Sequence, residues 1–175
     1  MIRLSSIAIV MLMSCGLVAS AFGAEATATI TPSKAAATQP SNTSVTGTAT
    51  FTQDGADVKV VVDLAGLSPG KHGCHLHEKN DLSDPELKSV GPHWDMGGKH
   101  HHGGPETAEH HAGDLGNLTA DDSGKAHMEG MLKGITLDEL TGRSVIVHAK
   151  EDDLKTDPSG NSGGRVAGGA IEVKK

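Results

Sequence analysis

The stretch “HGCHLHE” (72–78) places two histidines, His75 and His77, one residue apart. In a β-strand successive side chains point to opposite faces, so both rings would share one face, with Cys74 and Leu76 on the other. Such a pair alone most often marks a solvated strand face. A metal site would need further ligands from elsewhere in the chain, and the interpretation therefore depends on the rest of the sequence.

The first 23 residues have the features of a secretory signal peptide. Arg3 precedes an apolar stretch, and small residues follow it, so we expect cleavage after Ala21 or Gly23. Lipid attachment at Cys15 is an alternative, because “LMSC” resembles a bacterial lipoprotein signal. We therefore expect one domain over 24–175 in an exported protein, periplasmic or extracellular, with no membrane span.

Composition limits both the partners and the core. The chain has 22 acidic against 15 basic residues and a formal net charge of −7, and losing the leader would remove one basic residue and no acid. Nucleic acid and anionic membranes are therefore poor partners. The mature chain would keep one cysteine, Cys74, and so have no internal disulfide. With one Trp, two Phe and no Tyr, its core is a candidate for stabilisation by a bound metal.

Eight short segments with strand character are separated by turns rich in Gly, Pro, Asn and Asp. “TQDGAD” and “ADDSGK” are typical of hairpin turns, and “TPSKAAATQPSN” of a polar loop or linker. This pattern predicts an all-β antiparallel sandwich or barrel. Two long connections, 79–113 and 150–164, are expected to carry function. The predicted strands are 26–31, 44–52, 57–65, 71–78, 114–120, 125–132, 143–149 and 166–173.

The first long connection is rich in histidine, which by itself is typical of a surface tract that binds metal loosely. Its histidines, however, fall in separate groups beside Gly or Pro, and an aspartate adds an oxygen ligand that suits zinc. A further histidine, His148, ends the apolar strand “SVIVHA”. Because imidazole binds both zinc and copper, the residues indicate two metal sites, one on strands and one on the loop. The loop candidates are His93, His100, His101, His102, His110, His111 and Asp114.

Six motifs, in this order, closely resemble copper/zinc superoxide dismutase over nearly the whole mature chain. They are “HGCHLHE”, “GPHW”, “HHGGP”, “HHAGDLGNLTAD”, “IVHAKEDDL” and “GNSGGR”. The resemblance implies an eight-stranded antiparallel Greek-key β-barrel, related to the immunoglobulin-like sandwich, with two long functional loops. It also implies an enzyme that uses copper and zinc to convert superoxide anion to dioxygen and hydrogen peroxide. The short second loop is similar to that of exported bacterial members, and a homodimer is compatible with the resemblance.

By motif position, the resemblance implies two ligand sets that share a bridging imidazolate. The spacing before “HGGP” carries one residue more than is usual, so His101 is the alternate to His102 as a zinc ligand. The implied copper ligands are His75, His77, His93 and His148. The implied zinc ligands are His93, His102, His111 and Asp114.

Two further residues receive roles from the same resemblance. Arg165 would stand beside copper and attract superoxide despite the negative net charge, with Lys155 as a helper. Asp152 would join the copper ligand His75 to the zinc ligand His102 and fix the aim of both rings. Without the resemblance, Arg165 would be interpreted as a surface charge and Asp152 as an acidic loop residue.

The chain departs from the family at its disulfide. The matching positions are Leu87, or a neighbour in “SDPELKS”, and Gly168, so both cysteines are absent. Two rival functions remain at this stage: a copper/zinc storage protein without activity, and a structural barrel held by zinc. The full set of copper ligands and Arg165 disfavours the second. His72, His100, His110 and His127 receive no role and are expected to be exposed or hydrogen-bonded.

Overall fold

The computed structural model describes residues 24–38, 44–98 and 101–174. The predicted leader, with Cys15, lies outside these residues, so its cleavage or lipid attachment stays a prediction. The first described strand begins at Glu25, directly after the predicted leader.

Strands make up most of the regular structure in the described ranges, where the helical segments are three 3-10 turns at Lys34–Thr38, Lys88–Val90 and Leu137–Leu140. The all-β prediction is thereby confirmed. The strands are β1 (Glu25–Pro32), β2 (Thr46–Asp54), β3 (Asp57–Ala65), β4 (Gly70–His77), β5 (Asp114–Ala120), β6 (Ala126–Leu132), β7 (Ser144–His148), β8 (Arg165–Ala170) and β9 (Glu172–Val173).

Two local details differ from the sequence prediction. The last predicted strand is divided at Ile171: β8 pairs with β7 as far as Ala170, whereas Glu172 and Val173 pair with β1. The predicted polar loop after β1 begins with a 3-10 turn, because the Ser33 hydroxyl accepts the N–H of Ala36 (3.0 Å). The alternation of side chains along the sequence reports neither detail.

The strands close into a barrel with a Greek-key crossover. Their order is β2-β3-β6-β5-β4-β7-β8-β1-β9, and β1 also pairs with β2, which joins the two ends of the series. The β1–β2 pairing runs from Glu25↔Thr52 to Ile30↔Gly47. Because β3 neighbours β6 rather than β4, the chain crosses one end of the barrel between consecutive strands. The predicted eight-stranded Greek-key barrel is confirmed, with β9 as a short continuation of β8.

Both predicted hairpin turns are present. Gly55 (φ 62°) lies between β2 and β3, and Gly124 (φ 79°) lies between β5 and β6. In the second turn Asp121 Oδ1 accepts the N–H groups of Ser123 (2.8 Å) and Lys125 (3.0 Å). These turns fix the register of the two hairpins, and hence which strand residues face inward.

Strand β4 differs from an ordinary barrel strand because both of its faces are buried from His72 to His77. One face, with Cys74 and Leu76, belongs to the main apolar core. The other is covered by the two long connections, 78–113 and 149–164. The loops therefore enclose whatever side chains β4 presents outside the barrel.

Candidate metal centre

Strands β4 and β7 present three histidines on the covered face. His75 and His77 lie opposite Cys74 and Leu76, as strand alternation requires. Cys74 pairs with the core residue Val147, so the next residue along β7, His148, points to the covered face. All three rings are buried.

The first loop adds a fourth ring, His93, through backbone bonds to β4. An isolated antiparallel bridge pairs His93 with His77. Beside it the N–H of Trp94 donates to the carbonyl of Leu76 (2.8 Å), and the N–H of Gly113 donates to that of Trp94 (2.8 Å). The loop is thus pinned at the strand, and His93 stacks on His75 with ring centroids 3.9 Å apart.

The four rings each leave one buried nitrogen without a hydrogen-bond partner among the described residues: His75 Nδ1, His77 Nε2, His93 Nε2 and His148 Nε2. In all four rings the opposite nitrogen has a partner that fixes the tautomer, and in His93 this is Nδ1, 2.8 Å from Asp114 Oδ1. His75 Nε2–H donates to Asp152 (2.8 Å), His77 Nδ1–H to Gly91 O (2.9 Å), and His148 Nδ1–H to Gly163 O (3.2 Å). The unpartnered nitrogens therefore carry lone pairs, and the four residues can offer ligand atoms within 4.8 Å of one another. This donor set fits copper.

A second cluster converges on the carboxylate of Asp114. The Nδ1 atoms of His93, His102 and His111 lie 2.8, 3.1 and 3.4 Å from Asp114 Oδ1. The other oxygen, Oδ2, accepts the N–H groups of Gly103 (3.1 Å) and His111 (3.0 Å), which fixes the orientation of the carboxylate. Three imidazoles and one carboxylate fit tetrahedral zinc. His93 belongs to both clusters, with Nε2 in the first and Nδ1 in the second.

A grouping by distance alone places His75, not His111, beside His93, His102 and Asp114. We favour His111, because Nε2 of His75 is engaged by Asp152 and its Nδ1 faces the other histidines of the first cluster. His111 is half-buried and its Nδ1 lies 3.2 Å from Asp114 Oδ2. It completes the second cluster without using a residue of the first.

The structure distinguishes His102 from its neighbour His101. His102 is buried between Asp114 and Asp152, whereas the side chain of His101 is 75% exposed and meets Asp157 through Nδ1 (2.6 Å). Asp157 Oδ1 also accepts the backbone N–H of His102 (2.6 Å). The second loop thereby fixes which of the two rings turns inward.

Burial holds the first cluster neutral. It lowers the pKa of His75, and lowers the pKa of His77 and His148 well below the ordinary value. The pKa of His93 falls to about 4, again mainly through burial, against the opposing effect of its bond to Asp114. Neutral imidazole is the form that binds metal.

The acidic cluster has the opposite balance. Burial raises the pKa of Asp114, but hydrogen bonds from His102, His93 and Gly103 outweigh it and hold the pKa well below its usual range. Burial lowers the pKa of His102, but its bonds to Asp114 and Asp152 raise it to about 9. Asp114 is therefore a carboxylate, and a metal bound here would displace the proton of His102.

Asp152 connects the two clusters. Its Oδ2 accepts from His75 Nε2 and its Oδ1 from His102 Nε2, both at 2.8 Å. Gly160 (φ 62°) makes room for this link, since a Cβ there would lie 1.7 Å from Asp152 Oδ1 and 2.6 Å from His102 Nε2. Asp152 therefore lies where it contacts one ring of each cluster.

A cavity of about 380 Å³ opens over the first cluster, and Arg165 lines it together with His93, His148 and Lys88. β7–β8 pairing sets Arg165 opposite His148. Its Nη1 donates to Leu87 O (2.6 Å) and its Nη2 to Gly91 O (2.7 Å). Lys155, predicted as a helper, is exposed and lies outside this lining, so Lys88 is the second cation at the opening.

Sequence analysis missed two residues that support the centre. Asn117 on β5 binds the backbone of Asp152 through both ends of its amide, at 2.9 and 2.8 Å. His72 is buried, with Nδ1 2.8 Å from the carbonyl of His148 and Nε2 2.9 Å from that of Ser68. Both residues belong to motifs quoted above, Asn117 to “HHAGDLGNLTAD” and His72 to “HGCHLHE”. Neither motif indicates which backbone groups these side chains contact. His110 bonds to a neighbouring carbonyl, His127 is exposed, and His100 lies outside the described ranges.

The two positions matched to the missing disulfide are in contact. A Cβ on Gly168 would lie 3.3 Å from Leu87 Cδ1. Cys74 is the free cysteine of the described residues; it is buried, and burial raises its pKa to about 12. Apolar packing therefore occupies the place of a covalent bridge.

Comparison with known proteins gives the family. The sequence model described as copper/zinc superoxide dismutase (SODC) matches residues 45–171. The chain therefore belongs to the copper/zinc superoxide dismutase family. The predicted family, the activity of superoxide dismutation and the pair of cofactors, copper and zinc, are confirmed at this level.

The name of one similar protein agrees with the assignment, and one solved structure shares the fold. The protein named extracellular superoxide dismutase [Cu-Zn] from Drosophila melanogaster is 45% identical over 147 residues, covering 78% of this chain and 80% of the relative. The structure titled “Crystal Structure Analysis of the clock protein EA4” is 33% identical, with a TM-score of 0.73, over 87% of this chain and 96% of the other. Separately, the described residues contain no helix with the length and apolarity needed to cross a membrane.

Proposed function

We propose that this chain dismutates superoxide with copper held by His75, His77, His93 and His148, and with zinc held by His93, His102, His111 and Asp114. One observation carries the copper assignment: four buried imidazole nitrogens, one from each ring, have no partner among the described residues and face one another. Leaving such atoms unpaired costs free energy, and a bound metal would recover it.

The side chains of the chain itself bind and orient the substrate. Arg165 lies at the cavity over the copper set and is the proposed binding group for the superoxide anion; Lys88 lines the same opening, but its charge is paired with Glu86. Such a local positive field can attract an anion to a protein of negative net charge. Buried walls on the other side keep water away from His75 and His77.

Bound copper would supply the one-electron chemistry by which two superoxide anions and two protons become dioxygen and hydrogen peroxide. His93 is the proposed proton carrier, because its Nε2 faces the reaction site while its Nδ1 belongs to the zinc cluster around Asp114. Asp152 and Asn117 hold the rings in place and take no direct part.

We further propose that the protein is exported and that residues 1–23 are its signal peptide. The name of the Drosophila relative supports an extracellular location. Whether the destination is the periplasm or the exterior, whether Cys15 carries lipid, and whether two chains form a homodimer stay predictions.

The test combines metal analysis with a dismutation assay on the purified mature chain. We expect one copper and one zinc per chain, and activity that falls about tenfold in Arg165→Ala with both metals retained. The rate of the unaltered protein should also fall with salt, because exposed charges are screened over about 10 Å at 0.1 M. Bound metals without activity would instead support the storage protein.

A further inference from the structure

Leu87 has a backbone conformation that its own chemistry disfavours. Its φ of 58° and ψ of 26° lie in the left-handed region, which a leucine rarely occupies. Such a conformation persists only where the surroundings determine it, and it concentrates at functional positions. The contacts around Leu87 should therefore show what holds its backbone in this conformation.

The turn before Leu87 is fixed from within. Asp84 Oδ1 accepts the N–H groups of Glu86 (2.9 Å) and Lys88 (3.0 Å), and the carbonyl of Asp84 accepts the N–H of Leu87 (3.0 Å). These bonds set the direction of the Leu87 backbone, but they do not attach the turn to the barrel.

The side chain of Leu87 attaches the turn to the barrel, beside a backbone bond from the N–H of Ala35 to the carbonyl of Pro85 (2.9 Å). Leu87, Val90 and Ile146 form a small buried cluster separate from the main core. The cluster rests on β8 at Gly168, where an added Cβ would lie 2.6 Å from Ile146 Cδ1 and 3.3 Å from Leu87 Cδ1. The absence of a side chain at Gly168 thus provides the space into which Leu87 packs.

The carbonyl of the same residue meets the substrate-binding cation. Leu87 O accepts from Arg165 Nη1 at 2.6 Å, and Gly91 O accepts from Nη2 at 2.7 Å. Gly91 O also accepts Nδ1–H of His77. Two loop carbonyls therefore hold both ends of the guanidinium. The position of the Leu87 carbonyl depends on the packing of the Leu87 side chain.

We propose that Leu87 is a positioning residue for superoxide dismutation: its side chain, packed against Ile146 above Gly168, fixes the carbonyl that aims Arg165 at the copper set. This inference rests on the proposed function of Arg165. The contact transmits position without touching substrate or metal.

The principal variant is Leu87→Gly, which suits the left-handed φ and removes only the anchoring side chain. In the fully metallated enzyme we expect kcat/KM for superoxide to fall about tenfold, because a small misplacement of a binding group is enough to cause this. The dependence of the rate on salt should also flatten. Leu87→Met keeps the apolar bulk, so its kcat/KM and salt dependence should match those of the unaltered protein. Leu137→Ala removes a comparable side chain from the main core and should leave kcat/KM and salt dependence unchanged.

A double-mutant cycle tests the route of action. If Leu87 acts through Arg165, then Leu87→Gly should change the rate less than about twofold in an Arg165→Ala background. Independent, multiplying effects would overturn the proposal. Loss of copper from Leu87→Gly would overturn it also, because Leu87 would then support the metal ligands.

A measurement without turnover separates this inference from the proposed function. In the diamagnetic copper(I)–zinc protein, the guanidinium protons of Arg165 should exchange with solvent faster in Leu87→Gly than in the unaltered protein or in Leu137→Ala. Unchanged exchange would contradict positioning by Leu87, whatever the activity. Faster exchange in a protein without dismutase activity would instead leave the positioning intact and contradict the proposed function.

Discussion

The side-chain amide of Asn117 holds the backbone of Asp152 at two points: Nδ2 donates to the carbonyl at 2.9 Å and Oδ1 accepts the N–H at 2.8 Å. The two residues are 35 positions apart in sequence. One is on a barrel strand and the other on the second loop. The strand therefore fixes the carboxylate that connects the two ligand clusters.

Replacing this amide should weaken metal binding without touching a ligand. For Asn117→Ala we expect zinc affinity to fall about 10–100-fold, the usual effect of removing a group that orients ligands from behind. Competition with a zinc-binding dye measures this. Asn80→Ala, on an exposed loop position, is the control, and equal affinities for the two variants would show that Asn117 is dispensable.

Gly160 should tolerate no side chain. Gly160→Ala would place a Cβ 1.7 Å from Asp152 Oδ1, so we expect loss of the His75–Asp152–His102 link and of most bound zinc. Gly142→Ala is a matched control, because its φ of 79° is also left-handed but a Cβ there meets nothing within 4 Å. In this control the free energy of unfolding should fall by only about 1–2 kcal/mol, and Tm by a few degrees. Similar zinc contents in both variants would contradict the steric role of Gly160.

The two ligand clusters should respond separately to ligand removal. His148→Ala should weaken copper binding more than about 100-fold while sparing most of the zinc, and Asp114→Ala should do the reverse. Metal content after dialysis against a chelator measures both. His127→Ala removes an exposed histidine and should alter neither. Retention of copper and full activity by His148→Ala would refute the copper assignment.

Cys74 should be inert in the folded protein. Its side chain is fully buried and its thiol pKa is raised to about 12 by burial, so thiol reagents should modify it only after unfolding. Reductant should leave Tm unchanged, whereas chelation should lower it by about 10 °C or more, since metal binding contributes folding free energy. A fall in Tm with reductant alone would reveal a disulfide between two chains and contradict the buried placement.

Strand patterning predicted the fold because alternation is a local property. The segment 57–65 was predicted with the bounds that β3 has, and the alternation in “HGCHLHE” correctly separated His75 and His77 from Cys74 and Leu76. Each of these inferences needs only neighbouring residues and the two-residue period of a strand.

The parts of the site that the sequence did not predict depend on contacts between distant segments. His101 and His102 are identical neighbours on a loop, and contacts with Asp157, more than 50 residues later, distinguish the outward ring from the inward one. Lys88 is a second example. The path of the first loop brings it to the cavity, where Lys155 of the second loop was expected. Sequence spacing cannot fix such geometry, because it arises from the packing of one loop on the other.

The chain contains one tryptophan, and it lies next to His93, the residue shared by the two clusters. Trp94 follows His93, is 3% exposed, and lies beneath the guanidinium of Arg143 at 4.1 Å. With no tyrosine in the sequence, its emission is the intrinsic fluorescence of the whole protein. Because Trp94 adjoins His93, we expect metal uptake to change this single optical signal, which would let binding be followed in real time on the unlabelled chain.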